Sequence, residues 1–294
     1  MEHAPFALPH WTSQLVPDDA LFAQAYQDLS DRERAWIKTG IARLYDWYGP
    51  RKDVGGEDLR RWSGGLETHT RFDAVDFAVV LFDDTLLSPA RLLAALVPAI
   101  ATGVRQVVAV RVGEDSAPWR KAILTGLELA GQESVIGVDQ NQARRLLAEL
   151  RETDRPGAVA VLGPKAMETC VSEQYAATRM AFWRPRFSRM ATVWMEEGDP
   201  LDLDALAFIH PDIAFSVYGA ETELPGPNFT RAEGGFDDFL HASSDVAYLP
   251  RERMAAAAGM VKLALGPGLE GTWVWPDLHS LHFQFRSAAW IIGD

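Results

Sequence analysis

A chain of 294 residues, 48% hydrophobic and 23% charged, is long enough for one large core or two modest ones. Its net charge of −13 comes without the Lys and Arg clusters that phosphates require, which excludes a nucleic-acid surface. The single cysteine, Cys170, excludes an internal disulfide and fits a reducing compartment. With no apolar run of membrane-spanning length, and no basic start or apolar core in residues 1–10, the expectation is a soluble cytoplasmic protein without nucleic-acid or membrane partners.

Residues 1–17 carry Pro5, Pro9 and Pro17 among scattered aromatics and read as an extended arm, lying on a core or on a partner subunit. Asp18 opens a helical stretch through Leu29. Ser30-Asp31-Arg32-Glu33 is a capping-box pattern, and Trp36, Ile37, Ile41, Leu44 and Tyr45 follow at helical spacing. Gly49-Pro50 ends that helix, and the polar, Gly-rich stretch 51–71 reads as a boundary loop.

From 77 to 138 the chain alternates strand and helix. Ala78-Val79-Val80-Leu81-Phe82 is a short apolar run, as a strand buried on both faces requires. Ser88 caps a helix with Pro89 at its first position, apolar along Leu92, Leu93, Leu96, Val97 and Ile100 and ended at Gly103. Val107 to Val110 is a second strand, the helix bearing Trp119, Ile123, Leu124 and Leu127 ends at Gly131, and Ser134 to Val138 is a third strand. Such alternation makes a parallel sheet with right-handed crossovers.

The pattern continues with a helix on Ala143, Leu146, Leu147 and Leu150, a strand from Ala158 to Leu162, a Gly163-Pro164 turn, and a helix from about 166 to 180. The basic, aromatic segment 182–189 reads as a crossing into a second unit, and Arg184, Arg186 and Arg189 there are either an anion-binding group or a solvated crossover. Strands follow at 191–195 and 213–218 with a helix between them through Ile209, then a helical turn at 236–241, a short strand at 246–248 and a helix over 250–265. The tail 273–292 alternates Trp and Phe with polar residues, as an edge strand or a subunit contact does, and Trp273, Trp275 and Phe283 read as packing. The expected architecture is α/β: two Rossmann-like units with mostly parallel sheets and an N-terminal helical arm. The boundaries are 1–71 for the arm and helices, 72–185 for the first unit and 186–294 for a second, smaller unit with its tail.

Several blocks stand in a telling order: Ser88 to Gly103 running into Val104-Arg105-Gln106-Val107-Val108, then Leu127-Glu128-Leu129-Ala130-Gly131, then Gly163-Pro164, then PGPNFTRAEGGFDDFLHASSDVAY over 225–248. Together they resemble the histidinol dehydrogenase family of the aldehyde-dehydrogenase-like superfamily, roughly over 77–286. The resemblance implies NAD, a substrate-holding zinc ion and a Glu-His pair acting on water and protons. It places Asp83, Asp84, Ser88, Gly163 and Pro164 around the cofactor, and makes His210 and His279 the zinc ligands, with Arg286 keeping the family's spacing from His279. It also implies a nucleotide-binding character for the first unit.

The chain departs from that pattern at stated places. Asp83-Asp84 replaces the paired glycines of the cofactor loop, and reads either as solvated turn residues or as a carboxylate pair for a cation or amine. Ala207 stands where the family has a glutamine ligand, and the carboxylate ligand has no counterpart in the shortened Glu221-Thr222-Glu223 region. The Glu-His pair is missing between Tyr218 and Glu221, so the family's proton acceptor is absent. Cys170 reads as a buried thiol, or by analogy with aldehyde dehydrogenases as a nucleophile. Two functions follow. One is a histidinol-dehydrogenase-like protein that has lost the catalytic set and binds a small ligand or serves an assembly role. The other is an active NAD-dependent oxidoreductase for histidinol or a related amino alcohol or aldehyde, with a rebuilt site. A homodimer is expected from the apolar arm and tail.

Overall fold

Two helices lead the chain, each started by a side chain that takes its orphan amides. α1 (Asp19–Asp28) begins where Asp18 accepts the Ala20 amide, and α2 (Asp31–Tyr48) carries the capping box between Ser30 and Glu33. The computed structural model describes residues 6–49, 55–114, 117–169, 179–186, 189–198, 201–242 and 244–292. Ahead of α1 a 3-10 turn, His10–Leu15, lies on the chain's own core: Phe6 stacks on Phe77 at 4.7 Å and the Trp11 indole donates to Glu149. Residues 6–15 of the arm are therefore not held in reserve for a partner.

The stretch read as a boundary loop contains a hairpin instead. β1 (Gly56–Arg61) pairs antiparallel with β2 (Leu66–Ala74). Neither strand has a buried residue, so the polar/apolar alternation that betrays a half-buried strand is missing.

The first parallel sheet comprises β3 (Phe77–Asp83), β4 (Gln106–Val112), β5 (Val135–Val138), β6 (Gly157–Leu162) and β7 (Met180–Trp183), in the order β5-β4-β3-β6-β7. Its crossovers are α3 (Pro89–Ala101), α4 (Lys121–Leu129), α5 (Gln140–Glu152) and α6 (Pro164–Thr169). The helix expected over 166–180 is thus seen only as α6. Residues 170–178, Cys170 among them, lie outside the described residues.

The second parallel sheet comprises β8 (Met190–Met195), β9 (Ala214–Gly219), β10 (Phe229–Arg231), β11 (Val246–Tyr248) and β12 (Leu263–Leu265), with α7 (Leu203–Ile209), α8 (Phe236–Leu240) and α9 (Met254–Ala257) between them. The helix expected over 250–265 breaks into a 3-10 turn at Arg251–Arg253, α9 and β12, because the apolar end of that run pairs its backbone with β11. Its order, β10-β9-β8-β11-β12, repeats that of the first sheet: each begins at a central strand, steps outward on one side, then returns past it. Finally β13 (Gln284–Ile292) returns to pair antiparallel with β2, making a three-stranded sheet β1-β2-β13.

The two units meet on α3. Every residue of that helix except Ile100 is buried, as in a helix apolar all round. One face of β3, through Ala78, Val80 and Phe82, joins a core that also holds α2, α3, α7, β8 and β9. The other face, through Phe77, Val79 and Leu81, packs beneath α5 and the arm. The segment before β13 is pinned to α2 where Gly40 faces Gly271, since a Cβ on Gly40 would collide with the Gly271 carbonyl oxygen. Trp273, Trp275 and Phe283 are buried in the same core. No helix among the described residues is long and apolar enough to cross a membrane.

Candidate functional site

In open α/β sheets ligands bind beyond the carboxyl ends of the strands where the strand order reverses. In the first sheet that point lies between β3 and β6, which run side by side with Phe82 opposite Leu162. The chain leaves β3 through Asp83, Asp84 and Thr85 and leaves β6 through Gly163 and Pro164.

Asp83 is 1% exposed and turned inward. Its carboxylate accepts from the Thr85 amide and hydroxyl at 2.9 and 2.6 Å, and from the Lys165 and Ala166 amides at 2.6 and 3.1 Å. Gly163, at φ 103°, passes directly over it, and a side chain there would strike the carboxylate. The first amides of α6, which a ligand phosphate would otherwise solicit, already hold the chain's own anion. Asp84 is bound to Arg111, whose Nε donates to it at 2.7 Å while Nη2 donates to the Ala117 carbonyl at 2.9 Å. The charges of the Asp83-Asp84 loop are thus answered within the fold.

Ser88 faces the second unit rather than the loop. Its hydroxyl accepts the Arg91 amide at 3.2 Å, capping α3, and lies 3.0 Å from Nδ1 of His210. His210 closes the C-terminal end of α7 and is wholly buried. Its Nε2 stands 3.3 Å from the hydroxyl of Tyr248 on β11, and its ring is 5.2 Å from that of Trp273. Burial, and secondarily the charge of Arg91, holds the imidazole pKa well below its usual range, so the ring is neutral at pH 7. In either tautomer both nitrogens are engaged. Burial likewise raises the Tyr248 hydroxyl pKa and that of Glu270, which takes the Asp202 amide at 3.1 Å.

Beside this cluster Arg91 of α3 and Asp212 form an ion pair, their side chains 7% and 8% exposed. Burial pushes the Arg91 pKa down against the pull of Asp212. The Nε of Arg91 has no hydrogen-bond partner among the described residues. A cavity of about 90 Å³ opens at the switch point, walled by Thr85, Arg91, Gly163, Arg189, Trp273 and Trp275. A second hollow of about 460 Å³, lined by Phe182, Trp183, Arg184, Arg186 and Asp277 among others, lies past the end of β7. The Trp183 ring stands 5.7 Å from that of Trp275.

The structure brings Asp83, Gly163 and Pro164 to the switch point, sets Asp84 against Arg111, and turns Ser88 to His210. His279 is exposed before the 3-10 turn Ser280–Phe283, and Arg286 lies on β13 over the Phe72 ring. The residues do not fit a zinc ion. His210 has no nitrogen to give and sits beside a guanidinium, and no group of three His, Cys, Asp or Glu side chains suited to a metal occurs among the described residues. The switch point fits a dinucleotide no better, with its helix amides occupied and its cavity small.

Arg91, Asp212, Tyr248 and Glu270 are site residues that sequence reasoning passed over. One signal was available: Arg91 is the lone charge in a helix otherwise made of apolar residues.

No family model matches the chain, and no curated protein matches it in sequence. Among solved structures, a histidinol dehydrogenase from Elizabethkingia anophelis aligns at 10% identity and TM-score 0.57, over 95% of this chain and 77% of its own. A putative aldehyde dehydrogenase from Anabaena variabilis aligns at 10% identity and TM-score 0.50, over 94% and 87%. A succinate-semialdehyde dehydrogenase from Burkholderia pseudomallei gives 10% identity and TM-score 0.50, over 93% and 84%. The chain has the aldehyde-dehydrogenase-like fold. At that identity the likeness extends to the fold alone.

Proposed function

We propose that this chain is a histidinol-dehydrogenase-like protein that has lost the zinc- and NAD-dependent catalytic set and binds a small molecule at the switch point of its first sheet, in the cytoplasm. The observation that carries the reading is the cavity between β3 and β6. It sits where this class of sheet holds ligands, yet at about 90 Å³ it admits a small molecule and not a dinucleotide. The engaged nitrogens of His210 and the inward carboxylate of Asp83 support the same reading. Because a ligand that binds only the native state raises its melting point, thermal shift with NAD, zinc and histidinol, each alone, tests it. None is expected to raise Tm. A saturable rise with NAD, or one with zinc that disappears in His210→Ala, would put an active NAD-dependent oxidoreductase with a rebuilt site ahead.

A homodimer is the second part of the proposal, and β13 supports it. That strand is an edge of its sheet, and Trp290, Ile291 and Ile292 are 71%, 61% and 83% exposed. A nine-residue edge strand whose last five residues, Ala288 to Ile292, are all apolar is a ready template for another strand. A second copy of β13, related by a two-fold axis, is the occupant that pairs the edge and closes the assembly.

A further inference from the structure

We propose that the switch-point cavity is a site for a single oxyanion group, a carboxylate or a phosphate, gripped by Arg91 and Arg189; the inference rests on the small-ligand reading above and names the chemistry of that ligand. Two guanidinium groups converge on one small space. Arg91 is 6% exposed and fixed on a buried helix, so its position is set before any ligand arrives. Its Nε, without a hydrogen-bond partner among the described residues, is a buried donor left unmet, and its desolvation goes uncompensated until an acceptor reaches it.

Arg189 approaches from the second unit, at the start of β8. It donates to the Thr85 hydroxyl at 3.0 Å and has no carboxylate within ion-pair reach among the described residues. The three aspartates nearest the cavity are already engaged. Asp212 answers Arg91, Asp83 takes four donors beneath Gly163, and Asp84 answers Arg111. Arg189 is therefore the cation at the cavity without a carboxylate partner among the described residues, and the two arginines repel each other across it, which adds to the lowering of the Arg91 pKa.

The walls strengthen what an anion would gain. Trp273 and Trp275 are 1% and 3% exposed, and the Trp275 indole donates to the Arg91 carbonyl, holding that wall in place. Charge-assisted hydrogen bonds formed beside buried indole rings, at lower dielectric, are stronger than the same bonds in water. A cavity of about 90 Å³ exceeds what one water needs and is on the scale of a single carboxylate or phosphate group. The larger hollow beyond Trp183, bordered by Arg184 and Arg186, lies on the side from which the rest of an organic anion would extend.

The test is calorimetric titration of the full chain with acetate, with inorganic phosphate, and with acetamide as the uncharged counterpart of acetate, all at matched ionic strength. Acetate or phosphate is expected to bind saturably, the tighter of the two identifying the group, and acetamide at least tenfold more weakly. Arg189→Gln, a change at an exposed side chain, is expected to weaken the anion at least tenfold with the melting point little changed. The double variant Arg91→Met/Asp212→Leu, which removes the ion pair without orphaning either charge, is expected to abolish binding. Acetamide binding as tightly as acetate would overturn the anion and leave the small-ligand reading standing. Anion affinity unchanged in Arg189→Gln would overturn the assignment to this cavity. Absence of saturable binding by all three probes would overturn both readings.

Discussion

Arg91 and Asp212 show how a charge can sit in the middle of a core. Taking either into the interior alone costs several kcal/mol, and each is tolerated because the other faces it. Removing one partner therefore harms more than removing both. Asp212→Ala is expected to lower unfolding free energy by about 3–5 kcal/mol, and Arg91→Met/Asp212→Leu to recover most of that loss. Chemical denaturation of the two variants checks it, and equal losses in both would show that the pair is not the unit that matters. The same residues mark what was legible of the site. Asp83, Asp84, Gly163 and His210 were visible as positions in a pattern, but their partners were not. Thr85 lies two residues from Asp83 and Lys165 lies across a strand pair, so only the fold reveals that the carboxylate is spent. His210 looked like a ligand because sequence shows the ring and hides Ser88 and Tyr248 on either side of it.

At the scale of elements, strands buried on both faces announce themselves and strands exposed on both faces do not. β3, β4 and β6 read as unbroken apolar runs, and the sheet they make was evident from alternation with capped helices. β1 and β2 carry Glu57, Asp58, Arg60, Arg61, Glu67 and Arg71, and what makes them strands is backbone pairing to each other and to β13. β12 was lost inside a helix-like run because its three residues gain their conformation from β11. The exposed side of β13 leads to a prediction at this scale. If a second copy pairs with it, Trp290→Glu with Ile292→Lys removes two large apolar side chains worth about 1.5–3 kcal/mol each when buried. The dimer dissociation constant is then expected to rise more than a hundredfold. Light scattering with circular dichroism reads the outcome; a native chain that is already monomeric, or a variant that stays dimeric and folded, would refute the β13 interface.

For the molecule as a whole, two sheets of like order do not make two independent bodies. A continuous core runs from β3 through α3 and α2 to α7, β8 and β9, with Trp273 and Trp275 wedged among them. Splitting the units would expose a helix whose residues, Arg91 apart, are all apolar. Scanning calorimetry is accordingly expected to show one unfolding transition, with calorimetric and van't Hoff enthalpies in agreement. Two resolved transitions would mean that α3 stays with one unit and the interface parts first. The pairing of β13 with β2 bears on something else, the order in which the chain is built at the ribosome. β2 emerges before either parallel sheet has been synthesised, and the strand that covers its second edge emerges after both. During that interval the hairpin presents an uncovered backbone edge to every neighbouring nascent chain, and closing the contact demands a long loop. The charges that obscured β1 and β2 in the sequence are suited to that wait, since charged side chains discourage the wrong strand from docking first.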